Sequence, residues 1–233
     1  MPAPSQPAIY SSIKGNLPGA FKNPSITAEQ DDWLNALAGK ISGAWSDWQN
    51  GIEGGALEVC GSGLGTWTGT GEGGDLTEGP KMEWGNPKPG WPTEAEELND
   101  ALVQYTKSEF SDWVSAYSFD SASYEGTTSA TSNSSGTFDA EAVGTEDIAT
   151  IGSGDPPAPI QPSVVSDLKG AGWRPDKSVA KIKEWLGAYD DMIQEQFQLW
   201  LDSTLWIDNT VQGPSAAGDG SGCGTSNNDG ALD

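Results

Sequence analysis

The sequence predicts an α+β fold in which one chain contains three helix-plus-β-hairpin repeats. Three pairs of aromatic residues stand at helical spacing, and the second member of each pair precedes a glycine by thirteen residues. The three sets are Trp45, Trp48 and Gly61; Phe110, Trp113 and Gly126; Phe197, Trp200 and Gly213. The same spacing in three places indicates an internal repeat. Three units of this kind can pack around a pseudo-threefold axis.

Helical periodicity accounts for the first part of each unit. Thr27 with Gln30 and Thr93 with Glu96 form capping boxes that predict two helix starts, and Pro175 with Asp176 predicts the third. Apolar residues then recur three and four positions apart on one face of each helix. This periodicity predicts that six tryptophans lie in the core: Trp33, Trp45, Trp48, Trp113, Trp185 and Trp200.

The period changes to two after each predicted helix. Val59, Tyr124 and Val211 each stand two residues before the repeated glycine, in stretches rich in Gly, Ser and Thr that favour short strands and turns. The tail after Val211 has the composition of a disordered segment. Because it occupies the hairpin position of the third unit, we expect it to be partly ordered by strand pairing.

These elements divide one compact domain into five segments. The segments are a Pro-rich N-terminal arm at 1–26, the first repeat with its connector at 27–91, the second repeat at 92–138, an insertion loop and short turn at 139–174, and the third repeat at 175–233. The arm is suited either to packing on the core or to reaching a neighbouring subunit. Residues 166–170 weakly echo residues 11–15, which indicates that a short turn recurs.

Charge and composition restrict the partners that the chain can have. The net charge of −23 repels nucleic-acid phosphates and anionic lipid surfaces, so we expect no nucleic-acid or membrane partner. The N-terminus lacks the pattern of an export signal, which predicts production in the cytoplasm. Because the cytoplasm is reducing, Cys60 and Cys223 are expected to be unpaired thiols, although their similar glycine-rich surroundings leave a bond open.

No arrangement in the sequence predicts catalysis. The chain contains no histidine, which excludes Ser-His-Asp and Cys-His catalysis. Adjacent acids are found at Asp31–Asp32, Glu96–Glu97 and Asp190–Asp191, but sequence adjacency does not place two carboxyls across a cleft. Calcium near Asp139 and Glu141, or near Asp219, matches no loop motif. We therefore predict no catalytic, cofactor-binding or metal-binding residues, and no cofactor.

Five tryptophans lie outside the apolar faces of the predicted helices and are the candidates for contact with a partner. They are Trp67, Trp84, Trp91, Trp173 and Trp206. Trp84 and Trp91 are also candidate anchors of the connector. Exposed indole faces stack on sugars, so these residues leave a carbohydrate-binding module open as one alternative. An acid-pair hydrolase is a second alternative.

The acidic, lysine-poor and histidine-free chain, rich in Gly, Ser and Thr with Pro-rich termini, resembles virion structural proteins of tailed bacteriophages. The resemblance lies in the style of the whole chain and includes no diagnostic motif. It implies a non-enzymatic component of the capsid surface, neck or tail, made in the host cytoplasm and located in the virion. Its partners would be other virion proteins in a symmetric assembly.

Overall fold

The computed structural model describes residues 2–17, 28–90, 93–143, 146–147, 156–173, 178–207, 209–227 and 231–232. The helices in these ranges are α1 (Gln6–Asn16), α2 (Ala28–Asn50), α3 (Thr93–Ala116), α4 (Gln161–Gly170) and α5 (Ser178–Leu201). Helices and antiparallel strands occur together, so the predicted α+β class is confirmed. None of the described helices has the length and hydropathy needed to cross a membrane.

The strands form one large and one small antiparallel sheet. In chain order they are β1 (Ile52–Gly54), β2 (Glu58–Ser62), β3 (Thr66–Glu78), β4 (Ser118–Thr128), β5 (Gly136–Ala142), β6 (Glu146–Asp147), β7 (Leu205–Ile207), β8 (Thr210–Ser215), β9 (Gly222–Thr225) and β10 (Ala231–Leu232). The large sheet has the order β8-β5-β4-β3-β2-β9, and β1 pairs with the far end of β3. A bridge between Val211 and Ser226 brings the two outer strands together, so the sheet is nearly closed.

Three long helices converge on a cluster of aromatic rings. The indoles of Trp48, Trp113 and Trp200 contact one another, with centroid distances of 6.0 Å (Trp48–Trp113), 5.4 Å (Trp48–Trp200) and 5.7 Å (Trp113–Trp200). One turn earlier on the same helices, the rings of Trp45, Phe110 and Phe197 lie 5.0, 5.9 and 5.4 Å apart. All six are buried, so the predicted aromatic faces form the centre of the core.

The inner face of the large sheet continues this core. Val59, Tyr124 and Val211 are all buried. The glycine two residues later packs too closely for a side chain: a Cβ would lie 2.1 Å from a carbonyl oxygen at Gly61, 2.0 Å from one at Gly126 and 2.7 Å from a Phe138 ring atom at Gly213. Close approach between strands therefore explains a glycine at each of these positions.

Two short helices cover grooves between the long ones. The N-terminal arm contains α1, whose Ile9 and Ile13 are buried, and α1 contacts both α2 and α5. The second short helix, α4, contacts α3 and α5 and buries Val164, Val165 and Leu168. The arm thus packs on the core of its own chain, and the echo between residues 11–15 and 166–170 falls on two helices with similar environments.

The insertion is shorter than the sequence analysis predicted. Residues 139–142 continue β5 and pair with β4 and β8 instead of starting an exposed loop, because the alternation of Phe138 and Ala140 keeps apolar side chains on the buried face. Residues 161–170 form α4. The tail contains β8 and β9, as its hairpin position predicted. The predicted starts at Thr27 and Pro175 lie outside the described residues.

Cys60 and Cys223 form a disulfide, so the expectation of two unpaired thiols is wrong. The two residues are direct partners in the register of β2 and β9, with Cα atoms 4.1 Å apart. That proximity comes from the pairing of two strands 163 residues apart, which the composition of their surroundings does not reveal. The bond therefore links β9 covalently to its neighbour β2 and so to the first hairpin.

Replacing Trp48, Trp113 or Trp200 with alanine is expected to lower the free energy of unfolding by about 3–5 kcal/mol in each case, since each change removes a large ring from the core. Chemical denaturation measures the effect. Leu199→Ala is the control, because Leu199 is 54% exposed, and it should change stability by less than about 0.5 kcal/mol. Losses of that small size at all three tryptophans would contradict the core assignment.

Removing the disulfide should destabilise the fold. Cross-linking residues far apart in the chain restricts the unfolded state, so we expect Cys60→Ser with Cys223→Ser to cost about 2–4 kcal/mol. The matched comparison is the wild-type chain under a reducing agent, which should unfold at the same denaturant concentration as the double variant. If reduction leaves the midpoint of the wild type unchanged, the bond is not formed.

Candidate functional site

An open cleft of about 660 Å³ lies between the connector and α3, and we call it the connector cleft. Its walls are residues 83–86 of the connector and one side of α3, from Asn99 to Asp112. Amide and carboxylate side chains line it together with Trp84, Val103 and Tyr105, and its accessible surface is more apolar than polar. This mixture suits binding through an apolar contact area with a few hydrogen bonds.

Polar contacts hold the connector in place. The indole N–H of Trp84 donates to Asn99 Oδ1 at 3.1 Å, and both residues are buried. Asn86 Nδ2 donates to Glu96 Oε1 at 3.2 Å. Ion pairs join Glu83 to Lys107 on α3 and Lys88 to Asp32 on α2. The connector therefore spans α2 and α3 and forms one fixed wall of the cleft.

The candidate tryptophans do not gather in one place. Trp67 was predicted to contact a partner, but it is fully buried and stacks on Phe138 with centroids 4.1 Å apart, so that prediction is wrong. Trp84 is only 9% exposed and acts as the predicted anchor of the connector. Trp173 is partly buried and donates to Glu97 Oε2 at 2.6 Å. Trp91 and the side chain of Trp206 lie outside the described part of the chain.

The adjacent acids take part in packing between elements. Asp31 accepts from Tyr10 at 2.7 Å and pairs with Lys14 at 2.8 Å, both on α1. Asp32 and Glu96 hold the connector, and Glu97 accepts from Trp173. These carboxylates connect neighbouring segments. Within the described ranges, no group of three or more Asp, Glu, Cys or His residues is placed to hold a metal ion.

Asp190 on α5 caps another helix. Its two carboxylate oxygens accept from the backbone N–H groups of Ile160 and Gln161 at 3.0 Å each, at the N-terminus of α4. The side chain lies in the core between α4 and α5, and burial raises its pKa from 3.8 to about 6. Next to it, the pKa of Tyr189 is raised by burial, and its hydroxyl bonds to that of Thr106 at 2.8 Å.

Comparison with known protein families, with curated proteins and with solved structures finds no match to this chain.

The connector cleft was not predicted from the sequence. Met82 and Asn99 support it and are fully or almost fully buried, but neither lies in a recognisable motif. A signal was present for the short helices. Gln6-Pro7 and Gln161-Pro162 both precede an apolar residue at the fourth position, another at the eighth and a lysine at the ninth. The echo between residues 11–15 and 166–170 thus extends five residues towards the N-terminus, and this longer pattern predicts two short helices of similar sequence.

The raised pKa of Asp190 predicts how stability depends on pH. Between about pH 4 and pH 6 the folded chain binds more protons at this group than the unfolded chain does, so its contribution to the free energy of unfolding falls as pH rises through that window. Asp190→Asn should remove this decrease. Denaturant titrations at pH 4 and pH 7 measure the difference.

The control for this measurement is Asp191→Asn, which removes an equal charge from an exposed neighbour. It should keep most of the decrease, because burial is the main cause of the raised pKa of Asp190 and the charge of Asp191 contributes less. If Asp190→Asn and the wild type show the same change in stability between pH 4 and pH 7, the carboxyl of Asp190 titrates as an ordinary surface acid.

Proposed function

We propose that this chain is a non-enzymatic structural protein of a bacteriophage particle, in which three helix-plus-hairpin repeats surround a pseudo-threefold axis. The observation that carries the proposal is the triangle of Trp48, Trp113 and Trp200. Each ring comes from the equivalent position of a different helix, and the three centroid distances differ by only 0.6 Å, from 5.4 to 6.0 Å.

The order of the strands also supports the proposed repeat. The hairpins β2–β3, β4–β5 and β8–β9 follow one another around the nearly closed sheet, and each comes after one of the long helices.

The three proposed repeats differ in the hydrogen bonds of their indole N–H groups. Trp48 donates to Glu78 at 3.0 Å and Trp200 to Gln49 at 2.9 Å, whereas Trp113 Nε1 has no partner among the described residues.

Contacts among the three hairpin turns add further support. Thr128 N donates to Gly65 O at 3.2 Å, Gly218 N to Thr131 O at 3.2 Å, and Gly63 N to Asp219 O at 3.0 Å. Each hairpin turn therefore shares a backbone hydrogen bond with each of the other two hairpin turns. A single chain with three similar faces fits a position on or near a threefold axis, where it meets equivalent neighbours.

The roles of the charged side chains agree with a structural protein. Most adjacent acids connect segments of the chain and do not face each other across a cleft, and Trp67 and Trp84 do not offer an open indole face to a sugar. In this proposal the chain is made in the host cytoplasm and joins other virion proteins. The disulfide would form after release, because an oxidising environment favours it.

The test is the copy number of this chain in particles from the phage source. Particles are purified through a density gradient, and quantitative mass spectrometry compares this chain with the most abundant shell protein in each fraction. We expect one constant ratio across the particle peak and, in cryo-electron microscopy, density for the chain at a fixed symmetry position. Light scattering on the purified chain gives the mass of its free form.

A soluble host protein of similar size and charge is the control, and its ratio should fall towards zero across the gradient. If this chain behaves in the same way and stays with the soluble fraction, the proposed virion role is wrong.

A further inference from the structure

The three long helices leave three grooves between them, and a short helix covers two of these grooves. On α2, Gln6 Nε2 of α1 donates to Asn35 O at 3.0 Å, and Ser42 Oγ donates to Pro4 O at 2.7 Å. On α5, Gln161 Nε2 of α4 donates to Lys183 O at 2.5 Å, while Asp190 accepts from the start of α4. The two short helices therefore use the same side of their long helices.

Corresponding positions on the three long helices are found by counting back from the last tryptophan of each helix. Ten residues before Trp48 and Trp200 stand Ala38 and Asp190, which α1 and α4 cover and which are 0% and 8% exposed. Ten residues before Trp113 stands Val103, which is only partly buried and lines the connector cleft. Among the described residues, no short helix lies over the corresponding side of α3, where Val103 stays partly open to the surface.

The connector lies in the third groove, between α2 and α3. Its Met82 and Trp84 side chains are buried, and residues 83–86 line the 660 Å³ cleft together with Val103. Asp100 and Lys107 line this cleft, and they correspond to Asn35 and Ser42 on α2. The surface of α2 that contacts Gln6 and Pro4 thus corresponds to a surface of α3 that is open at the connector cleft.

We propose that the connector cleft binds a short amphipathic helix of a partner protein, of the same kind as α1 and α4. The chemistry of the occupant follows from those two helices. It begins with Gln-Pro or a similar start, places apolar residues at the fourth and eighth positions, and carries a lysine at the ninth. The proposal rests on the pseudo-threefold arrangement proposed above.

Charge supports a basic helix. Lys14 of α1 pairs with Asp31 at 2.8 Å, and the residue of α3 that corresponds to Asp31 is Glu96. Glu83, Asp100 and Asp112 add carboxylates around the cleft. Among the described residues, Lys107 lines the cleft and pairs with Glu83, and Lys81, which contacts the lining residue Ser111, pairs with Glu78. A lysine at the end of a docked helix would therefore meet an acidic surface, which favours association.

The occupant comes from another protein because α1 is already committed to its own groove. Besides the contacts on α2, Ser12 Oγ of α1 donates to Glu195 Oε2 on α5 at 2.5 Å, and Ile9 and Ile13 are fully buried. A second copy could supply this helix only by unpacking its own core.

The test uses a fluorescent peptide with the sequence of residues 3–17 as a probe of the cleft. Anisotropy is measured as the oxidised full-length chain is titrated into the peptide, and we expect saturable one-to-one binding. Val103→Lys should weaken it by at least about tenfold, because it replaces an apolar contact with a charge that the docked helix would bury. Leu199→Lys adds the same charge at an exposed apolar residue of α5 and should leave the affinity within about twofold.

Three further measurements keep the test decisive. Gln104→Lys changes an exposed residue of the cleft, so it should fold normally and also weaken binding if Val103→Lys proves unstable. A peptide with Ile9→Asp and Ile13→Asp should not bind. The indole N–H resonance of Trp84, assigned with Trp84→Phe, should shift during the titration.

Absence of binding to the wild-type chain at millimolar peptide would overturn the proposal. Equal binding to the wild type and to both cleft variants would overturn it too, since the peptide would then be exchanging with α1. Peptide-independent dimers in light scattering that Val103→Lys abolishes would identify a second copy as the occupant and also contradict it. None of these results bears on the copy number in particles, so the virion role is tested separately.

Discussion

The mutual contact of the indole rings of Trp48, Trp113 and Trp200 is the interaction on which the rest of the fold depends. The rings sit where three helices end and their hairpins begin, so their packing sets the position of each helix end relative to the other two. Large aromatic rings bury much area and prefer tilted contacts at these distances. A chain with 35% hydrophobic residues can build its core in this way because each large aromatic ring buries much apolar area.

Closure of the sheet follows from that arrangement. Once the helix ends are placed, each hairpin starts beside its neighbours, and the glycines at Gly61, Gly126 and Gly213 allow the strands to approach closely. The disulfide then joins the first hairpin to the last. The small helices complete the outer layer in two grooves, whereas the connector covers the third less fully. That difference in cover makes the connector cleft the candidate binding surface.

The helices and the aromatic core could be predicted from the sequence because both depend on local periodicity. Five of the six tryptophans assigned to the core are buried and Trp185 is partly buried. Trp67 was wrongly predicted to contact a partner because it lies outside the helices. The alternation of strand β3 does indicate its burial, since Thr66 and Thr68 on either side are exposed. The disulfide and the connector cleft depend on which distant segments meet. No spacing along the chain encodes that information, so neither could be predicted.

Double-mutant cycles test most directly whether the three tryptophans are equivalent members of one cluster. Each of Trp48, Trp113 and Trp200 is changed to phenylalanine alone and in pairs, and the three coupling energies are measured by denaturation. Aromatic pairs couple by about 0.5–1.5 kcal/mol, and the proposed equivalence predicts three values that agree within about 0.5 kcal/mol. One strongly coupled pair with a third residue that adds independently would contradict it.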